Sequence, residues 1–285
     1  MTPDPETELA AILDQVQDMP SLSPVLARLT ALIASPDTTA NDITLAISRD
    51  PGLVTRVLKL VNSAYYGFTR RISTITSAVV ILGFKQIRNM ALSSFVFDNF
   101  VNIASPRFDI NGLWRHSLGV ATFAAAVARL VAPRNIEDIF ICGLLHDLGK
   151  FVLFRSDPEK AVRIFELAER DNLPFLAAEN RLSAYDHARL GAAATERWKL
   201  PSSVVEVIRF HHAPLKAPEA SSLPTAVINF ADIMARSLLM GEGGGKRVEI
   251  LSPEIWGRIG LSWPSVEKIS RQAAKDYVDA AAFYA

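Results

Sequence analysis

The 285-residue chain (31.2 kDa) is 49% apolar and 21% charged, which suits a globular protein and excludes wholesale disorder. Thirty basic residues offset thirty acidic ones, so no global field draws it to nucleic acid or an anionic membrane. Cys142 is the single cysteine, which excludes an intramolecular disulfide and a cysteine-built zinc site. In chain order, apolar residues recur at three- and four-residue spacings over 8–17, 23–34, 40–48 and 51–62, predicting amphipathic helices. The separators carry helix-start chemistry: Ser23 can cap a helix with Pro24 in its first position, and Asp50-Pro51 repeats the arrangement. Two further helices are predicted over 75–82 and 84–98, broken at Gly83. SPRFDING (105–112) reads as a linker, after which periodicity returns over 113–131, 136–154, 158–171, 174–180, 185–198, 201–212 and 223–240. GEGGGK (241–246) reads as a flexible loop, and 252–260 and 263–282 as closing helices. Strand-like alternation is scarce, so the predicted fold is all-α. The expected division is a tail (1–18), an N-terminal helical lobe (19–105), a central helical bundle (106–240) and a loop with a C-terminal helical extension (241–285).

The opening MTPDPETELAAIL is acidic and lacks the basic region and apolar run of a secretory leader. No stretch approaches the roughly 18 uninterrupted apolar residues of a membrane span. The expected location is therefore the cytoplasm, with no membrane association.

The chain has five histidines, His116, His146, His187, His211 and His212, and several stand in apolar surroundings. A His146-Asp147 doublet interrupts FICGLLHDLGKFVLF, His211-His212 ends VIRFHHAPL, and Asp232 is the one carboxylate in AVINFADIMA. An unpartnered polar group in an apolar interior costs on the order of 2–7 kcal/mol, and a charge costs more. Groups so placed on separate apolar helices are expected to meet, with a cation compensating Asp147 and Asp232. A divalent metal would satisfy carboxylates and neutral imidazoles together. Taken singly, His116 and His187 read more readily as hydrogen-bonded structural histidines, and Asp232 is also readable as a cap or salt-bridge partner. GEGGGKR is not a phosphate loop, because Met240 stands where the pattern needs glycine and Arg247 where it needs Ser or Thr. Tyr65-Tyr66-Gly67-Phe68 is read as interhelical packing rather than a stacking platform, and Cys142 as core.

Several blocks resemble the HDOD family, a branch of the HD superfamily related to the HD-GYP phosphodiesterases. They are MPSLSPVLARL, ISRDPGLVTRVLKLVNSAYYGF and ISTITSAVVILGFKQIRNMAL in the first half. LWRHSLGVA, IFICGLLHDLGKFVLF, AYDHARLGAAATERWKLPSSVVEVIRFHH and VINFADIMA follow in the second. The resemblance covers about 19–240 and implies an HD-like helical bundle with an additional N-terminal lobe. It also implies a ligand set: His116 for the first HD histidine, His146-Asp147 for the doublet and Asp232 for the final aspartate. His187, His211 and His212 match the extra histidines of the two-metal HD-GYP pattern, and Lys150 matches a phosphate-contacting lysine. The Gly-Tyr-Pro stretch is missing after His212, and Gly112 stands where three-metal members carry a carboxylate.

Two readings follow. In one, the chain is a signal-transduction module with a retained His/Asp metal site, acting through protein or nucleotide binding, with a signalling protein as partner. In the other it is a metal-dependent phosphohydrolase acting on a nucleotide or cyclic dinucleotide. Two divalent metals, with iron, manganese, zinc and nickel all compatible, would activate a water across Asp147 while Lys150 neutralises a phosphate oxygen, with Arg115 or Arg189 assisting.

Overall fold

The computed structural model describes residues 23–63, 66–101, 108–245 and 247–284. The helix expected over 8–17 and Tyr65 of the aromatic run lie outside them. Among the described residues every regular element is helical and there is no strand. No helix among them is long and apolar enough to cross a membrane.

Five helices form the N-terminal part: α1 (Pro24–Ile33), α2 (Ala40–Ser48), α3 (Pro51–Val61), α4 (Ile75–Leu82) and α5 (Phe84–Val96). Their starts follow from cap chemistry. Ser23 Oγ accepts from Leu26 N, Thr39 and Asp42 form a reciprocal capping box, and Asp50 accepts from Leu53 N at 2.9 Å with Pro51 in the first turn. Asp50→Ala should therefore lower stability by about 1 kcal/mol, read as an earlier urea midpoint with an unchanged slope. Gly83, at φ 80°, turns the chain between α4 and α5 with a backbone that favours glycine. Helix α5 ends in a π-helical turn (Phe97–Val101), earlier than the periodicity suggests.

The remaining helices are α6 (Ile110–Val131), α7 (Ile136–Leu145), α8 (Leu148–Ser156), α9 (Pro158–Arg170), α10 (Phe175–Leu182), α11 (His187–Arg197), α12 (Ser202–Phe210), α13 (Glu219–Ser237), α14 (Pro253–Ile259) and α15 (Trp263–Tyr284). Helix α6 is the central post, flanked by α7, α13 and α15, while α11 lies between α8 and α12. It starts three residues before the expected Leu113, because Ile110 and Leu113 both bury into the core. Helix α5 ties the N-terminal part to α7: buried Arg88 pairs with Asp138 at 3.1 Å, and Asn89 Nδ2 donates to Glu137 O at 2.6 Å. Arg129 of α6 pairs with Asp276 of α15 at 2.9 Å.

Two expectations are corrected. The single helix over 136–154 is two helices, α7 and α8, and the His146-Asp147 doublet is the turn between them, with Asp147 at φ −97° and ψ 14°. The 241–245 loop is docked rather than free: Glu242 N donates to Gly112 O at 2.8 Å, and Gly244 lies against the Phe175 ring. Cys142 is buried as expected, and burial pushes its thiol pKa up. Tyr66 and Phe68 stack on each other with ring centroids 6.5 Å apart, and Tyr66 is half-buried against the core.

Candidate metal centre

The turn at His146-Asp147 aims both side chains inward from the junction of α7 and α8. Glycines let the neighbouring helices close on it. A Cβ on Gly143 would lie 2.8 Å from Ala121 Cα of α6, and one on Gly149 would lie 1.9 Å from His187 O of α11. Gly149 of α8 and Gly191 of α11 therefore cross with backbone against backbone, which sets His187 over Asp147. Helix α6 contributes His116, the end of α12 contributes His211 and His212, and α13 contributes Asp232.

These groups meet. His116, His146, Asp147 and His211 are wholly buried, and His187 and Asp232 nearly so. One set of donor atoms, on His116, His146 and Asp147, lies mutually within 4.8 Å; a second set, on His187, His211 and His212, does the same. Asp147 stands between them. Its Oδ2 is 3.3 Å from His146 Nε2 and 3.8 Å from His116 Nε2, while its Oδ1 is 3.2 Å from His187 Nε2 and 3.9 Å from His211 Nε2. Asp232 Oδ1 adds to the first set at 2.9 Å from His116 Nε2 and 3.9 Å from His146 Nε2.

The tautomers leave donor atoms pointing at the centre. Because a carbonyl can only accept, His146 Nδ1–H donates to Gly143 O and His211 Nδ1–H to Ile208 O, each at 2.7 Å. His187 Nδ1–H donates to the buried Glu179 carboxylate at 2.5 Å. Such outward bonds are how metal-binding histidines are oriented, and they free each Nε2 lone pair for an ion. His211 Nε2 and His212 Nε2 both face His187 Nε2, at 3.3 and 2.9 Å. Three imidazole nitrogens converging on one point are a donor set that a cation would satisfy together. Burial acts to lower the His187 pKa, but Glu179 and Asp147 carry it up to about 9. His211 and His212 are held well below the ordinary value by burial and by the neighbouring histidines. Burial also takes His116 down to about 4, against the pull of Asp232.

Several buried atoms here lack any hydrogen-bond partner: His116 Nδ1 and Nε2, His146 Nε2, Asp147 Oδ1 and His212 Nδ1. His116 Nε2 approaches Asp232 Oδ1 at 2.9 Å outside hydrogen-bond geometry. Orphaned imidazole and carboxylate atoms clustered at one point are a donor set that fits divalent metal.

Both carboxylates are ionised despite burial, which by itself would raise them. His146 and Lys150 hold Asp147 well below the usual carboxylate range, and Arg236 does the same for Asp232. Lys150 Nζ is 2.7 Å from Asp147 Oδ2, donates to Gly243 O at 2.7 Å, and stands 4.9 Å above the Phe175 ring. Arg115 is engaged elsewhere, in an exposed pair with Asp109 at 2.9 Å, and the Arg189 backbone N–H is held by Asp186 at the start of α11.

Three contributors were not anticipated from sequence. Arg236 donates Nε to Asp232 at 2.8 Å and its other nitrogens to Gly244 O at 3.1 Å and Gly243 O at 3.2 Å. Its four-residue spacing from Asp232 on one helix face was the available signal. Glu179 precedes His187 by eight residues across a turn, where no periodicity links them. Asn229 Nδ2, which donates to His211 O at 2.8 Å, carries no motif.

The HDOD domain family model matches residues 19–214, ending before Asp232. An uncharacterized protein of Treponema pallidum (strain Nichols) is 35% identical over 234 residues, covering 81% of this chain and 45% of that protein. The chain thus spans less than half the length of this relative. An HDOD domain protein of unknown function from Geobacter sulfurreducens superposes with a TM-score of 0.80 at 27% identity, covering 99% of this chain and 98% of that one. A candidate phosphohydrolase from Shewanella amazonensis SB2B superposes with a TM-score of 0.74 at 25% identity, covering 97% and 98%. The chain belongs to the HDOD domain family.

Proposed function

We propose that this chain is a signal-transduction module whose metal centre is structural or regulatory, and that it acts by binding a signalling protein or a nucleotide. The observation that carries this reading is closure. Lys150, the group expected to meet a phosphate, is held between Asp147 and the Gly243 carbonyl, and the free volume beside it is about 10 Å³. That is room for about one water, whereas ligand pockets run to about 300–1,000 Å³. Leu45 of α2 and Val80 and Ile81 of α4 present apolar side chains to solvent on the N-terminal part, surface suited to a protein partner.

The donor set supports two metal ions. His116, His146, Asp147 and Asp232 would hold one, and His187, His211, His212 and the second oxygen of Asp147 the other, with Asp147 bridging. Bound metal would supply Lewis acidity at the centre. Donors of this type suit iron, manganese, zinc or nickel.

A phosphohydrolase acting on a nucleotide or cyclic dinucleotide is the second reading. It is favoured by the completeness of the donor set and by the likeness to the Shewanella protein, which is named a phosphohydrolase with no substrate given. Protein purified without a histidine tag, assayed for metal by elemental analysis and offered a panel of phosphoesters, separates the two. Metal without turnover is expected. Turnover at enzymatic rates that disappears in His146→Ala would replace the first reading by the second, and a protein that stays empty and refuses added metal would sink the metal centre altogether.

A further inference from the structure

One histidine of the second set has an outer nitrogen that nothing answers. His187 Nδ1–H donates to Glu179 and His211 Nδ1–H to the Ile208 carbonyl, so both rings present Nε2 to the centre in a fixed tautomer. His212 also turns Nε2 inward, 2.9 Å from His187 Nε2, but its Nδ1 is buried with no hydrogen-bond partner. A neutral imidazole in that state is not confined to one tautomer, and the form protonated on Nε2 has no lone pair there for a metal.

Glu249 Oε2 stands 3.9 Å from this nitrogen. The residue lies in the irregular segment that follows the glycine loop and precedes α14, beyond the family match at 19–214. With Lys150, Phe175, His212, Asp232 and Arg236 it lines the space of about 10 Å³ at the mouth of the centre. Burial and Asp232 push the Glu249 pKa up, while Arg236, Lys150 and His187 pull it down. These are the charges of the centre itself, so the carboxylate faces inward. Its neighbour Ile250 is 95% exposed. The segment thus gives the inner place to a carboxylate and leaves an isoleucine in water, the reverse of the usual partition.

We propose that Glu249 is the positioning residue of His212, its carboxylate accepting a hydrogen bond from Nδ1–H and so fixing the tautomer that offers Nε2 to a metal. The proposal rests on the metal-centre reading. It repeats at His212 the arrangement that Glu179 builds at His187, and it makes the C-terminal extension part of the centre. Contact requires the carboxylate to advance by about 1 Å, from 3.9 Å to a hydrogen-bond length near 2.9 Å. The Glu249 side chain is 37% exposed and has the rotamer freedom to do so.

The test is calorimetric titration of the metal-free full chain with zinc, with NMR of the histidine rings on the same samples. Glu249→Ala should weaken zinc binding by about tenfold, the lower end of what losing such a partner costs. Glu249→Gln keeps an acceptor and should recover most of the affinity, a rescue that neither a direct carboxylate ligand nor a charge acting at a distance would show. In a His212→Ala background, Glu249→Ala should add no further loss, because its effect runs through that ring. The His212 Nδ1 proton should be protected from exchange in zinc-loaded wild type and Glu249→Gln, and unprotected in Glu249→Ala. Additive losses with His212→Ala, a Gln variant as weak as the Ala variant, or an Nδ1 proton indifferent to both substitutions would each overturn the proposal. Wild type and Glu249→Ala binding zinc equally would end this proposal and leave the metal centre standing. Wild-type protein that takes up no zinc or other divalent metal would overturn both.

Discussion

Asp147→Ala is expected to abolish metal uptake at the proposed centre and to lower stability by about 3–5 kcal/mol, the cost of breaking a buried ion pair by removing one partner. The two effects share one cause. Asp147 is the carboxylate that faces both histidine sets, and it is also the counter-charge to Lys150, which burial already disfavours in its charged form. A second substitution separates the effects. In Asp147→Asn combined with Lys150→Met neither charge remains, so much of the stability should return while metal stays absent. Elemental analysis and equilibrium urea unfolding read the two quantities independently. Retention of metal at the wild-type level in Asp147→Ala would show that the centre does not depend on this carboxylate.

Gly149→Ala is expected to cost on the order of 3 kcal/mol, the upper end of ordinary overpacking. The added methyl has nowhere to go, since His187 O would be 1.9 Å away and Gly191 N 2.7 Å, and both are backbone atoms that cannot swing aside. Relief requires α8 and α11 to separate, which carries His187 away from Asp147, so metal affinity should fall together with stability. Gly257→Ala is the internal control. It lies in α14 with nothing within 4 Å of the added Cβ, and exchanging a helical glycine for alanine there should stabilise by about 0.5–1 kcal/mol. Denaturation curves for the two variants should therefore shift in opposite directions. Equal shifts would mean that the α8–α11 crossing is looser than its geometry indicates.

The two variants probe the same property at different depths. Helices brought together by glycines impose the short distances, and the charges at the meeting point then require compensation from one another or from an ion. Arg236 is part of that compensation. It holds Asp232 ionised and also donates to the carbonyls of Gly243 and Gly244 in the 241–245 loop.

Much of this was legible in the chain itself. Helix positions followed from apolar spacing and from the caps at Ser23 and Asp50, because both are local effects, set within one turn of the residues concerned. The composition of the site was equally readable, since His146-Asp147, His211-His212 and Asp232 are conspicuous only because the helices around them are apolar. Tertiary structure alone decided the rest. That the His-Asp doublet is a turn rather than a helical step depends on α6 and α11 closing on it from both sides. Glu179 and Asn229 became part of the site through contacts between residues eight and eighteen positions apart, which leave no periodic trace. A run of glycines signals only freedom from side-chain constraint. Whether that freedom serves a mobile loop or a close approach is fixed by what lies opposite, and here two buried cations hold the loop down by its carbonyls.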